Sequence, residues 1–309
     1  MTGGAISSSH HLATEAGARA LRAGGNAIDA AIAAAAALCV VYPNNVALGG
    51  DLVALVRDPD GRISFVNATG RAARAETIDS LRARHGDRLP ARGVDTITVP
   101  GGVRGWASLS ALGGRLDWRD RLGSARELAR EGHPTSRSVA RAIRTDHAAL
   151  AADEGCRALF LPGGRPLDEG DHLVQPALAA TFDALIAGGP DAFYAGPVAE
   201  AWVGSLRSRG SRITVEEVAA YAPVLDEPVS TRFAGVDVVT SPPNTQGFSL
   251  LRTLRALENG APDFDALGAD AAHLAGLFLD ANKLRSTLLA DPEIAPVEFD
   301  RLLTAPVRS

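Results

Sequence analysis

The sequence predicts an α+β fold in which helices are layered on antiparallel sheet. Three observations predict it. Turn residues at Asp58–Gly61 and at Ala234–Gly235 each stand between apolar runs, which marks two hairpins. Between and around the hairpins, apolar residues recur at helical spacing. The repeated strand, helix, strand units of a parallel sheet are missing. The 309 residues are 46% hydrophobic and 22% charged, enough to bury a sizeable core. With neither an internal repeat nor a long linker, residues 1–309 read as a single domain.

In chain order, a helix over Ala13–Ala23 is broken by Gly24, Gly25 and Asn26, residues suited to a left-handed C-cap. The alanine-rich run that follows is a second helix, stopped by Pro43. Alanine combines the best helix propensity with a small side chain, so such a helix lies close to its neighbours. "LGGD" then turns the chain into a strand at Leu52–Val56, and "RISFVNA" (Arg62–Ala68) returns as its hairpin partner. Further helices are expected at 103–111, 122–130, 136–151, 175–187, 198–209, 246–258 and 269–289. Between them, "PVSTRFAGVDVVTSPP" forms the second hairpin and ends at Pro242 and Pro243.

A net charge of −5 removes the electrostatic reason to expect nucleic acid or an anionic membrane as partner, and leaves a small molecule or another chain. The uncharged stretch Ala30–Tyr42 is shorter than the roughly 20 residues a bilayer helix needs. The start of the chain lacks a basic segment followed by an apolar one, so the cytoplasm is the expected location. Cys39 and Cys156 stand in apolar surroundings without metal-ligand spacing and read as buried thiols.

Self-contained chemistry is nearly absent. There is no G-x-S-x-G, P-loop, H-E-x-x-H or C-x-x-C, and neither a metal nor a cofactor is expected. His10 and His11, read as a strand, point to opposite faces and cannot share a metal. Asp171 and His172 lie in a polar turn whose plain reading is a solvated loop. "GGVRG" (Gly101–Gly105) departs from G-x-G-x-x-G and reads as a closely packed helix entry rather than a phosphate cradle. Thr2 would serve as an N-terminal nucleophile only if Met1 were removed, a weak reading open to any short polar start.

Several ordered blocks carry a resemblance that covers nearly the whole chain. "EAGARALRAGGNAIDAAIAAAAALCVVYPNNVALGGDLVAL" resembles the start of the gamma-glutamyltranspeptidase family. "VPGGVRGW", "ARELAREGHPTS", "LDEGDHLVQPALAATFDALIAGGPDAFYAGPVAE", "ITVEEVAAY" and "SPPNTQGFSLLRTLRALE" match further family blocks in order. The resemblance implies an N-terminal-nucleophile hydrolase with the αββα four-layer sandwich, made as a precursor that cuts itself into a large and a small chain. The catalytic threonine is then the first residue of the small chain, its α-amine serving as general base. No T-T-H-x-S-x-x-D-like segment is present, so this sequence is expected to be the large chain, non-catalytic alone. The implied partners are the small (beta) chain, a small-molecule substrate and a second heterodimer.

The family's large chain grips the γ-glutamyl α-carboxylate with an arginine in a segment of the form F-R-E-M-A-P-x-[KR]-A. A guanidinium fork suits a carboxylate. Here the segment reads "FVNATGRAARAE" (Phe65–Glu76), and the arginine's place falls on Ala68. The resemblance leaves Arg71 as a substrate-binding candidate, with a surface or intersubunit salt bridge as the competing reading. Asn67, beside the lost position, is a candidate for a neutral hydrogen bond. Losing a charge-assisted hydrogen bond of about 1.5–3 kcal/mol predicts poor affinity for glutathione. The expected function is therefore specialised hydrolysis of an amide or C–C bond in secondary metabolism, as in the branch serving 4-alkylproline antibiotic pathways. The alternatives are an orthodox γ-glutamyl hydrolase or transpeptidase using Arg71, and an inactive scaffold.

Overall fold

The structure is a computed structural model that describes residues 3–258 and 264–305. Thr2 lies outside them. The chain begins with α1 (His11–Arg22), α2 (Ala27–Val41) and the hairpin β1 (Leu52–Arg57) and β2 (Ile63–Ala68). Next come α3 (Ile78–His85), α4 (Gly102–Ala111), α5 (Trp118–Glu131), β3 (His133–Pro134) and α6 (Arg137–Thr145). They are followed by α7 (His147–Ala152), α8 (Glu154–Phe160), β4 (His172–Leu173), α9 (Pro176–Gly188) and α10 (Asp191–Tyr194). Then follow α11 (Gly196–Ser208), α12 (Val215–Ala220), β5 (Val224–Asp226), β6 (Val229–Phe233) and β7 (Val236–Thr240). The last elements are α13 (Gly247–Glu258), α14 (Ala271–Leu288) and α15 (Phe299–Thr304).

The contacts group into two compact units: Met1–Leu52 with Ala68–Pro223, and Val53–Asn67 with Val224–Ser309. The first unit is built on α2, which packs between α1 and α5, while α5 in turn packs on α9. Ile32, Ala33, Ala36, Ala37, Val40 and Val41 are buried, as the alanine-rich run requires. In the second unit, β2 joins β1 to β5 in a three-stranded sheet. β5 is antiparallel to β2, with Phe65 opposite Asp226. The β6–β7 hairpin turns at Ala234 and Gly235, both at positive φ, as its two-residue turn demands. Its Val229 and Val238 pack on a core of Phe248, Leu251, Leu284, Leu302 and Leu303 from α13, α14 and α15.

Asn26 does not cap the helix before it. It is the N-cap of α2: its Oδ1 accepts from the N–H of Ile28 at 3.0 Å and of Asp29 at 3.3 Å. Asp29 Oδ2 accepts in return from Asn26 N–H at 2.9 Å, completing a capping box. Gly24 alone supplies the positive φ of the break, at 96°. The Asp29 carboxylate is fully buried and also accepts from Arg121 Nε at 2.8 Å and from Arg115 and Leu116 N–H at 3.0–3.2 Å. Burial alone would raise this carboxyl, but the hydrogen bonds from Asn26, Arg115, Leu116 and Arg121 together hold it below the usual range.

The single helix expected over 136–151 is interrupted. α6 ends and α7 begins at Asp146, whose carboxylate binds Arg92 Nη2 at 2.5 Å. Asp153 then caps α8 by accepting from Cys156 N–H at 2.9 Å. His10 and His11 are not in a strand either. His10 is the N-cap of α1, its Nδ1 accepting from Leu12 N–H at 3.2 Å, and its ring stacks on His11 with centroids 4.7 Å apart. The thiols differ from each other: Cys39 is buried and its pKa is pushed up to about 12 by burial, whereas Cys156 is half-buried.

His133 is buried, and burial lowers its pKa against the opposing pull of the Pro134 and Val40 carbonyls. The unfolded chain therefore takes up this proton first as pH falls. Its contribution to stability is complete above the ordinary value of 6.5 and is progressively lost below it. The thermal midpoint is expected to fall between pH 7.5 and pH 5, and to fall less in His133→Leu.

Candidate functional site

Ala68 ends β2 and is fully buried. Its Cβ faces α4 at Gly105, where an added Cβ would stand 2.9 Å from it, and its carbonyl oxygen lies where a Cβ on Gly101 would be, 1.9 Å away. Both glycines are therefore required by close approach. The position that the resemblance assigns to the carboxylate grip is thus a core position packed on a helix. The Gly101 and Gly102 N–H groups both donate to Gly50 O, at 3.1 and 2.9 Å. The start of α4 is accordingly a packed helix entry whose amides are already used.

Beyond Ala68 the backbone turns at Gly70, with φ 79°. Val99 N–H donates to Arg71 O at 2.8 Å, tying the segment to the strand-like approach to α4. Gly70 N–H donates to the Tyr221 hydroxyl at 3.1 Å, and Arg74 N–H donates to Glu217 Oε1. Arg212 Nη1 donates to Ala75 O at 2.9 Å. The result is an exposed Arg71 side chain on a closely held backbone. Tyr194, fully buried, donates to Pro100 O at 2.9 Å and accepts from Arg104 N–H at 3.0 Å. The Arg104 guanidinium lies 4.6 Å above the Tyr194 ring and pairs with Asp191.

Asn67 belongs to the second unit. As the residue before Ala68 in a strand, it presents its side chain on the opposite face. Its Nδ2 donates to Asn244 Oδ1 at 3.0 Å. Arg71 falls in the first unit, so the two sequence candidates belong to different compact units. Tyr194 and Tyr221 escaped the sequence reading, although both stand in the matched blocks. The available signal was scarcity, since the chain has three tyrosines and two of them are buried around this turn.

The remaining candidates are structural. Asp171 Oδ2 accepts from Asp168 N–H at 2.8 Å and from Arg165 at 2.7 Å, while His172 Nε2 meets Glu131 O at 2.8 Å beside the β3–β4 ladder. Among the described residues no group of His, Cys, Asp and Glu is arranged to hold a metal ion, and no helix is long and apolar enough to cross a membrane. In the first unit, a surface cleft of about 540 Å³ is lined by Leu48, Gly49, Pro100, Phe193, Val198 and Trp202 among others, with no charged side chain. The Trp202 indole N–H is already used, donating to Phe193 O at 3.0 Å.

Known proteins resemble the chain along nearly its whole length. The chain is 34% identical over 304 residues to the glutathione hydrolase-like YwrD proenzyme of Bacillus subtilis, a match covering 96% of the chain and 57% of that relative. It is 33% identical to the acylase ACY 1 proenzyme of Pseudomonas sp. (strain SE83), covering 97% of the chain and 56% of that relative. The chain thus spans a little over half the length of these curated relatives. Gamma-glutamyltranspeptidase of Helicobacter pylori superposes with a TM-score of 0.92 at 28% identity, over 97% of this chain and 88% of that one. Residues 13–307 match the family described as gamma-glutamyltranspeptidase, and the chain belongs to that family.

Proposed function

We propose that this chain is the large subunit of a self-processed hydrolase of the family, acting on an amide or C–C bond of a specialised small molecule rather than on glutathione. The observation that carries the reading is Ala68, buried on α4 where the family's carboxylate-gripping arginine is expected. The likeness to an acylase supports a substrate whose reacting acyl group is held without a strong ionic anchor. Catalysis in this reading belongs to an N-terminal threonine on a small chain from the same precursor. Its hydroxyl attacks the scissile carbonyl while its α-amine takes the proton; the scissile bond breaks as that proton passes to the departing amine or carbon group, and water then hydrolyses the acyl–threonine ester. The two chains together complete the four-layer αββα sandwich of a single catalytic domain and pair into a dimer of heterodimers. Arg71 and Asn67 contribute substrate contacts, and the setting is a cytoplasmic pathway of secondary metabolism, with 4-alkylproline antibiotic biosynthesis as the leading case.

The test is turnover by the co-expressed, self-processed two-chain protein, its cleavage before threonine confirmed by intact mass. It is offered a γ-glutamyl anilide and a matched series of uncharged acyl anilides, followed by pathway-type substrates with a C–C scissile bond. The expected result is weak or no release from the γ-glutamyl compound, with turnover in another class. Robust γ-glutamyl turnover that collapses in Arg71→Ala would establish the orthodox activity instead. That second reading is favoured by one observation, the exposure of Arg71 on a fixed turn. Protein that never self-cleaves would favour the inactive scaffold.

A further inference from the structure

We infer that Tyr221 is a positioning residue for substrate recognition, its hydroxyl setting the turn from which Arg71 projects. The inference rests on the reading that Arg71 contacts substrate. Four backbone groups around Arg71 are held. Gly70 N–H donates to the Tyr221 hydroxyl, Arg74 N–H to Glu217, Val99 N–H to Arg71 O, and Arg212 to Ala75 O. Three of these partners come from one short stretch, Arg212 to Tyr221, which is itself fixed. Thr214 and Glu217 form a capping box at the start of α12, and Tyr221 N–H closes its end on Val218 O at 3.2 Å.

The placement of the phenol is specific rather than generic packing. Tyr221 is 8% exposed, and its oxygen lies 2.8 Å from where a Cβ on Gly101 would be. It therefore reaches the junction where the Gly70 turn meets the entry to α4. Its ring stacks on Tyr194 with centroids 6.5 Å apart. The Tyr194 hydroxyl holds the other side of that junction through Pro100 O and Arg104 N–H. A phenylalanine at 221 would fill the same space and keep the stacking. The acceptor for Gly70 N–H would be lost with the hydroxyl.

The experiment uses the self-processed two-chain protein and L-glutamate as a carboxylate probe, with binding measured by calorimetry for wild type, Tyr221→Phe, Arg71→Ala and the double variant. Hydrogen exchange of the peptide over 66–75 is followed in parallel. Losing one hydrogen bond predicts about a two- to tenfold weaker Kd in Tyr221→Phe, with faster exchange confined to that peptide. In the Arg71→Ala background the Tyr221 change should weaken binding no further. If Arg71→Ala weakens binding but Tyr221→Phe does not, or if the two effects add, the positioning role is overturned while Arg71 keeps its contact. If Arg71→Ala leaves the glutamate Kd unchanged, the reading of Arg71 falls and the inference with it; if glutamate does not bind, exchange over 66–75 decides, and exchange in Tyr221→Phe no faster than in wild type overturns the positioning role.

Discussion

Asp29→Ala is expected to destabilise the protein by about 3–5 kcal/mol, the usual cost of removing one partner from a buried ion pair. The Arg121 side chain, 3% exposed, would keep its charge and lose the carboxylate against Nε, retaining the Ser110 hydroxyl 2.6 Å from Nη1. Three backbone N–H groups, of Asn26, Arg115 and Leu116, would lose their acceptor in the same substitution. For that reason the double variant Asp29→Ala/Arg121→Met is not expected to recover wild-type stability, although it removes the stranded charge. Urea melts of the wild type and these two variants test this: recovery in the double variant would show that the ion pair, and not the capping of α2, dominates. The pH dependence has a definite sign. Because the folded Asp29 pKa lies below the ordinary value of 3.8, its contribution is present above that pH and is lost as pH falls through the folded value.

That network also shows what the sequence made legible. "GGNAIDAA" announces a helix start by composition, and the helix appears where expected, as do both hairpins and their turns. Local chemistry determined those elements: glycine at positive φ, alanine in a crowded helix, and alternating strands. What the sequence hid was long-range. Asn26 reads as punctuation after α1, but its role is decided by Asp29 and by its Nδ2, which donates to Gly113 O at 2.7 Å. The interruption of the helix over 136–151 accompanies a contact with Arg92, far away in the chain. β5 was missed because three exposed residues, Val224–Asp226, carry no alternation and become a strand only by pairing with β2. At the candidate site the same division holds. Arg71 was visible as a cation in an unusual place, whereas Tyr221 and Tyr194 act through hydroxyls on distant backbone groups, which no spacing encodes.

Ala68→Arg is expected to lose stability rather than restore a carboxylate grip, and this separates two explanations for the missing arginine. If Ala68 were merely a vacant binding position, adding the guanidinium would strengthen γ-glutamyl binding at little cost. The structure argues otherwise, since Ala68 is fully buried and its Cβ already meets α4 at Gly105, where there is no side chain to give way. A long side chain there must displace the helix, at about 1–3 kcal/mol for overpacking alone. Leaving its charge buried and unpaired costs several kcal/mol more. The expected total is above about 4 kcal/mol, read as loss of soluble two-chain protein or a large drop in thermal midpoint, with no gain in γ-glutamyl anilide release. Arg71→Lys, by contrast, alters an exposed side chain and should leave the midpoint within a few degrees. A folded Ala68→Arg variant with new γ-glutamyl activity would show that position 68 faces substrate after all. Specificity would then rest on one substitution and not on the packing of the turn.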